Sequence, residues 1–362
     1  MRLKRLIICN YRNIESADFK PGEELTVITG ANGQGKTNLL EAVWLLTGAK
    51  SFRGAKDPQL IRQGQQFGVM EGPIEREDRG EIWLRITIGT KDSPRPGRTA
   101  KMNGADAGRA SEIAGVFTAV VFEPGDLELV KGSPERRRRF IDAALCQLYP
   151  GYLATLRRYS RLIAQKNSLL KFWERTPGAA EMCDAFDADL AVQGEEIRRR
   201  RLAFLSSLGP LAQKNYEEIS SGSEALGLCY RCGFEAGTLA EALAASRMAD
   251  RRAGFCTAGP HRDDLELVLD GRPAKNFASQ GQQRSAVLSI KLAEAAVAAE
   301  VTGEHPVMLL DDVLSELDPS RQEYLLTRVR CKQTIVTACD SSLFHKAAGV
   351  MLRMEGGRLL EG

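Results

Sequence analysis

Apolar residues recur with two different periods along this chain, and the change comes after Asp126. Before it, short runs with strand character dominate. Leu6-Ile7-Ile8-Cys9 is a brief apolar run behind a basic N-terminus, Asn10-Tyr11-Arg12-Asn13 reads as a turn, and Ile14 to Phe19 as a second strand leading to Pro21-Gly22. Leu25-Thr26-Val27-Ile28-Thr29 predicts a third strand. A glycine-rich stretch follows, then Leu39, Leu40, Val43, Trp44 and Leu46 on one face of a helix that Gly48 stops. Residues 51 to 66 are polar and irregular, with Phe52, Arg53 and Gln63 as the notable side chains. Glu81 to Ile88 alternates cleanly, and a Pro/Gly-rich turn from Ser93 to Gly97 separates it from Arg98 to Asn103, predicting an antiparallel hairpin. Phe117 to Phe122 has the nearly continuous apolar pattern of a strand buried on both faces. Glu123-Pro124-Gly125-Asp126 ends it, and its two acids read as turn formers rather than a catalytic pair.

Helical spacing then takes over. Ser133-Pro134-Glu135 supplies an N-cap, a first-turn proline and an early acid to a helix carrying Phe140, Ile141, Ala144, Leu145 and Leu148 inward. A second helix runs from Tyr152 to Trp173 and a third from Ala179 to Leu205, and the short break at Thr176-Pro177-Gly178 predicts an antiparallel pair. Leu226, Leu228, Tyr230, Cys232 and Phe234 alternate as a strand. Thr238-Leu239-Ala240-Glu241 is a capping box for a helix ending near Gly254. Gly259-Pro260-His261-Arg262-Asp263-Asp264 leads into a strand from Leu265 to Leu269 and a turn at Asp270-Gly271. His261 and the adjacent acids suit a structural or nucleotide-proximal role better than metal ligation, because neighbours on a strand face opposite ways.

Composition narrows the class. At 362 residues the chain can bury a full core and has room for two domains. No apolar run approaches a membrane span, and the N-terminal apolar segment is too short for a signal peptide, so a cytoplasmic protein without membrane partners is expected. Eight scattered cysteines do not form the framework of a small secreted domain. Cys229 and Cys232, the one close pair, fall on opposite faces of the predicted strand and read as packing residues. The net charge of +3 announces no nucleic-acid binder, but the basic residues are unevenly placed. They gather in Arg136, Arg137, Arg138 and Arg139, in Arg157, Arg158 and Arg161, and in Arg198, Arg199, Arg200 and Arg201. Successive helical residues turn by roughly 100°, so a run of four cannot all face a core. Solvated or DNA-bound arginines are the alternatives.

The candidate chemistry centres on Gly30-Ala31-Asn32-Gly33-Gln34-Gly35-Lys36-Thr37, which fits the phosphate-loop pattern G-x-x-x-x-G-K-[ST] between a strand and a helix. Its glycines let backbone N–H groups turn toward phosphate oxygens, Lys36 reaches the β- and γ-phosphates, and Thr37 offers a hydroxyl to Mg²⁺. These residues and Asn38 form the expected ATP site. Later, Ser279-Gln280-Gly281-Gln282-Gln283-Arg284 opens a long helix, with Ser279 as N-cap, Gln282 at the capping-box position and Gly281 leaving the terminus open to an anion. Pro306 to Asp312 is a buried strand ending in two carboxylates, followed by Ser315-Glu316-Leu317-Asp318, and Gln333 to Thr337 is one more strand. Asp311 then serves Mg²⁺ with Thr37, while Asp312, Lys36 and Gln282 are the catalytic candidates.

The order and spacing of loop, Ser-x-Gly signature and late acidic strand resemble the ABC-type ATPase head. That resemblance implies an α/β fold, a P-loop head of mixed sheet with flanking helices and an antiparallel hairpin layer. It also implies that Ser279 and Gly281 act on ATP bound to a second copy, hence an ATP-dependent homodimer. Two departures stand out: Asp312 occupies the place of the usual glutamate, suggesting slow hydrolysis, and Ala338-Cys339-Asp340 stands where a switch histidine is usual. Asn10 to Asn13, Val121 to Pro134, Arg136 to Phe140, Gly259 to Leu265 and Ser279 to Arg284 resemble more closely the RecF family of bacterial recombination mediators, related to SMC proteins. The resemblance implies a head formed from residues 1–125 and 255–362 around a short helical arm, 126–254, and a weak DNA-stimulated ATPase. It implies binding to single- and double-stranded DNA at junctions or gaps, association with the nucleoid, and cooperation with RecO and RecR in loading recombinase. A transporter's nucleotide-binding subunit shares the ATP motifs but has no evident use for an arginine-rich helical insertion.

Overall fold

The computed structural model describes residues 1–361 except 95, 221, 223, 235–236, 330–332, 341–343 and 345–348. It divides into two compact units, one formed by residues 1–126 and 284–362, the other by 127–283. The second boundary therefore falls after Gln283 rather than after Gly254, because Asp264–Leu269 pairs antiparallel along its whole length with Leu226–Arg231. A strand cannot leave the sheet that satisfies its backbone.

In the first unit a six-stranded sheet runs in the order Arg358–Glu361, Val350–Glu355, Leu25–Thr29, Thr334–Ala338, Val307–Asp311, Ala119–Phe122. Its five central and far-edge strands are parallel and only Arg358–Glu361 is antiparallel. Ala119–Phe122, Val307–Asp311 and Thr334–Ala338 are buried along their whole length, the pattern of strands covered on both faces, whereas Val350–Glu355 alternates buried and exposed. Their C-terminal ends bring Thr29, Ala338, Asp311 and Phe122 to one edge, where open α/β sheets bind ligands.

The predicted hairpin is part of a larger antiparallel sheet. Gly80–Gly89 pairs with Gly97–Met102, and beyond these lie Ala105–Arg109 on one side and Phe67–Arg76, Leu6–Tyr11 and Ile14–Phe19 on the other. Phe67–Arg76 was not legible as a strand because Gly68, Gly72 and Pro73 interrupt its pattern. Sheet geometry explains the glycines: a Cβ at Gly72 would lie 1.9 Å from the Arg5 carbonyl oxygen and one at Gly68 2.7 Å from that of Asn10. Helix Lys36–Leu45 packs against strands of both sheets, and Glu41, Ala42 and Leu45 are as buried as the predicted apolar face. It is a core helix rather than an amphipathic one.

The second unit is built on helices Pro134–Leu148, Tyr152–Lys171, Ala179–Ile219 and Leu239–Ala253. Arg158 meets Asp189 and Lys166 meets Asp187, so the second and third helices run antiparallel as expected. The third extends well past Leu205 to 41 residues and contains Pro210, whose missing N–H costs one bond without ending the helix. Ser133 stands at its predicted cap position but makes no side-chain capping bond, whereas the Thr238–Glu241 capping box is complete. Buried ion pairs pin the unit together. Lys166 Nζ donates to Asp187 at 2.7 Å and Asp250 at 3.0 Å, and Arg201 donates to Asp142 at 2.9 Å and Asp263 at 3.1 Å. Asp263 also accepts from Tyr230 and the Gly233 N–H, and His261 bonds Tyr159 and the Cys256 carbonyl. These partners fit the structural reading of that segment. Arg201→Met, which strands Asp142 and Asp263, is expected to destabilise the chain by about 3–5 kcal/mol, measured by urea unfolding.

Candidate ATP site and arginine surface

Strand Leu25–Thr29 leads straight into the phosphate loop. The backbone is left-handed at Gly30, Gly33 and Gly35, with φ of 147°, 80° and 113°. A Cβ would lie 2.4 Å from the Met354 carbonyl oxygen at Gly30 and 2.8 Å from Asn13 Oδ1 at Gly35, so neither position has room for one. The turn predicted at Asn10 to Asn13 braces this loop: Asn13 Nδ2 donates to the Gln34 carbonyl at 3.1 Å, and Asn38 Nδ2 donates to Asn13 Oδ1 at 2.7 Å. From the other side the Gly356 and Gly357 N–H groups bond Gln34 at 2.6 Å and 2.9 Å.

Lys36 is buried, and its Nζ donates to the Gly30 and Ala31 carbonyls at 2.5 Å and 3.1 Å. Thr37 Oγ1 donates to Asp311 Oδ1 at 2.9 Å, and Thr337 Oγ1 donates to the same oxygen at 2.8 Å across the parallel register. Burial pushes the Asp311 pKa up, against the opposing pull of the Thr337 and Thr37 hydroxyls. A carboxylate placed so gains from a cation beside it. Asp312 follows with φ 53°, its N–H held by Thr337 Oγ1 at 3.0 Å and its Oδ1 buried without a partner among the described residues. Phe122 pairs with Leu310, which brings Glu123 level with Asp311, while the Asp126 carboxylate accepts the Glu123 N–H as a turn former should. A hydroxyl and carboxylates form a hard, oxygen-only donor set, which fits Mg²⁺.

Three features of this site escaped the sequence reading. Glu41, one turn beyond Thr37 and fully buried, accepts from Tyr11 at 2.7 Å, Arg12 at 2.9 Å, Arg53 at 2.6 Å and Ser51 at 2.5 Å. Burial opposes its charge, but the bonds from Arg53, Ser51 and Tyr11 prevail and hold its pKa below the ordinary carboxylate value. Two guanidinium groups are thereby fixed beside the phosphate loop, Arg53 also donating to Asn38 Oδ1 at 2.6 Å. An acid inside an otherwise apolar helix was the available signal. Thr337 and Asn13 are the second and third. Cys339, singled out in the sequence as standing in the usual switch-histidine position, donates its thiol to Asn32 Oδ1 at 3.1 Å and stands 3.7 Å from Lys36 Nζ.

The signature forms the predicted capping box. Gln282 N–H donates to Ser279 Oγ at 3.3 Å, and the Ser279 N–H donates to Gln282 Oε1 at 2.6 Å. Gln282 Nε2 also donates to Glu224 at 2.5 Å, so both ends of this amide are engaged and the catalytic role assigned to Gln282 gives way to a capping one.

The arginine clusters separate by burial. Arg137 and Arg201 lie inside the second unit, Arg137 in a two-pronged pair with Asp264 at 2.7 Å and 2.9 Å, and both leave the set of expected DNA contacts. Arg138 is half-buried against the Asp263 carbonyl. Arg136, Arg139, Arg158, Arg161 and Arg199 are exposed. Arg157 is half-buried, as are Arg198 over the Phe234 ring and Arg200 over that of Tyr149.

The chain matches the family model described as RecF/RecN/SMC N terminal domain over residues 2–356. It is 38% identical over 349 residues to the DNA replication and repair protein RecF of Geobacillus kaustophilus, covering 93% of this chain and 92% of that protein. With the RecF of Crocosphaera subtropica it shares 36% over the full length of both. Among solved structures, the recombination mediator protein RecF with ATP in the RecFOR pathway superposes with a TM-score of 0.91 at 31% identity, over 99% of this chain and 97% of that one. An Smc head domain from Pyrococcus furiosus, at 15% identity and a TM-score of 0.57, shares the fold. Likeness over the whole length runs to DNA replication and repair proteins and not to a transporter subunit. Phosphate loop, acidic strand, capped signature and full-length kinship agree: this chain is a P-loop ATPase belonging to the RecF family within the RecF/RecN/SMC group.

Proposed function

We propose that this protein is an ATP-dependent DNA clamp of recombinational repair and replication restart, closing as a homodimer on ATP and reopening after slow hydrolysis. The observation that carries the reading is Asp311 Oδ1 receiving both the Thr37 and the Thr337 hydroxyls, which ties the phosphate loop to two neighbouring strands. Gly30 to Asn38 cradle the triphosphate and Lys36 neutralises its outer phosphates. Thr37 and Asp311 would hold Mg²⁺, which, when bound, polarises phosphoryl oxygens. Asp312, with one carboxylate oxygen buried and unpartnered, positions or deprotonates the attacking water. Its side chain is a methylene shorter than glutamate, which accords with weak turnover; stimulation of that turnover by DNA is part of the same proposal. Ser279 and Gly281 contact the ATP of the second copy, so each site is complete only in the dimer.

DNA, at junctions of single and double strands or at gaps, is the proposed ligand of the exposed arginines in the second unit, and RecO and RecR the proposed partners in loading recombinase. Solved relatives described as acting in the RecFOR pathway support this. No described helix is long and apolar enough to cross a membrane. Action on the nucleoid in the cytoplasm is part of the same proposal. The test is a salt titration of duplex binding. Each phosphate contact contributes about −0.9 to the slope of log K against log salt. Replacing Arg136, Arg139 and Arg199 by Gln is expected to flatten that slope by about 3. A slope unchanged by all three would remove this surface from the DNA site.

A further inference from the structure

The end of helix Tyr152–Lys171 and the end of helix Leu239–Ala253 meet in the second unit. Asn167 Oδ1 accepts the Cys256 N–H at 2.7 Å, Arg251 bonds Glu174 at 2.8 Å, and a Cβ built on Gly254 would lie 3.8 Å from Lys171 Cγ. Large apolar side chains are left in solvent there: Phe172 is 54% and Phe255 40% exposed. Trp173 is half-buried, with the Arg251 guanidinium 4.6 Å above its ring, and the Arg262 guanidinium stands 4.8 Å above Phe255. Lys171 and Arg252 are exposed and carry no ion pair among the described residues. Against these cations stand Glu174, spent on Arg251, and Asp250, buried on Lys166. Trp173 packs on the buried Leu169, Ala179 and Cys183, but Phe172 and Phe255 stand largely in solvent, where an apolar ring contributes little to the core.

We propose that this cluster is a single-stranded DNA site, in which bases stack on Phe172 and Phe255 while Lys171 and Arg252 hold the phosphates. Every base has a π-face, so such a platform is sequence-tolerant. Duplex DNA keeps its bases stacked on one another and cannot use it. A protein partner would need an apolar patch rimmed by polar groups, and the excess of positive charge among the rings favours a polyanion instead. Arg161 lies ten residues before Lys171 on the same helix, about 15 Å along its axis. The cluster is thus spaced to receive a strand leaving the duplex bound by the arginines. The inference rests on the DNA-binding reading above.

The experiment compares a fluorescent oligothymidylate of about 15 nucleotides with a duplex of equal length, both titrated with the full chain. Phe172→Ala/Phe255→Ala is expected to weaken oligothymidylate binding about tenfold, leaving duplex binding and ATP-driven dimerisation unchanged. Phe172→Trp/Phe255→Trp is expected to retain single-strand affinity. Unchanged oligothymidylate affinity in the alanine variant, or equal loss with both DNAs, would overturn the site. A wild-type chain that binds duplex but not oligothymidylate would overturn it too, whereas one that binds neither would instead remove the DNA-binding reading on which it rests.

Discussion

Lys36→Met is expected to lower ATP affinity by about 10- to 150-fold, the value of a charge-assisted hydrogen bond to a phosphate, and to abolish ATP-driven dimerisation with it. The buried ammonium is held by two carbonyls of its own loop, and its exchange for an unbranched apolar side chain removes a desolvated charge rather than a packing element. The fold should therefore survive, and thermal unfolding without nucleotide should be little changed. Titration with a fluorescent ATP analogue reads the affinity. Unimpaired nucleotide binding in this variant would show that the loop is not the site.

Asp312→Asn separates binding from turnover. The amide has the same shape but cannot accept a proton, so hydrolysis should fall about 10²–10⁴-fold, the usual contribution of a general base, while ATP binding and dimerisation persist. Asp311→Asn should behave differently. Asp311 takes both threonine hydroxyls and belongs to the donor set for the metal, so nucleotide binding itself should become insensitive to added Mg²⁺. Steady-state phosphate release together with Mg²⁺-dependent ATP binding distinguishes the two. Normal turnover in Asp312→Asn would pass the water-activating role to another group, with Glu123, level with Asp311, the first to test.

Local chemistry made much of this molecule legible from sequence. The phosphate loop, the strand ending at Asp311, the Ser279 and Thr238 capping boxes and the helix pair each depend on residues a few positions apart, and each stands where expected. What escaped depends on residues distant in sequence. Phe67–Arg76 looks broken because its glycines answer to backbone from Arg5 and Asn10, not to their own neighbours. Residues 255–283 belong with the helical unit because Asp264–Leu269 finds its partner near residue 228. Four consecutive arginines could be read as partly exposed, but only the positions of Asp142, Asp263 and Asp264 reveal that Arg201 and Arg137 are the buried ones. Likewise Glu41 gains its meaning from Tyr11, Arg12, Ser51 and Arg53, which converge on it from other segments.

The central claim is that a triphosphate completes a site shared by two copies of the chain. Light scattering of the protein without nucleotide, with Mg·ADP and with a non-hydrolysable ATP analogue tests it directly. The expected result is the 39.7 kDa monomer in the first two conditions and twice that mass with the analogue, returning to monomer in Lys36→Met. A monomer under all three, with the analogue demonstrably bound, would contradict the trans role of Ser279 and Gly281 and the clamp built on it.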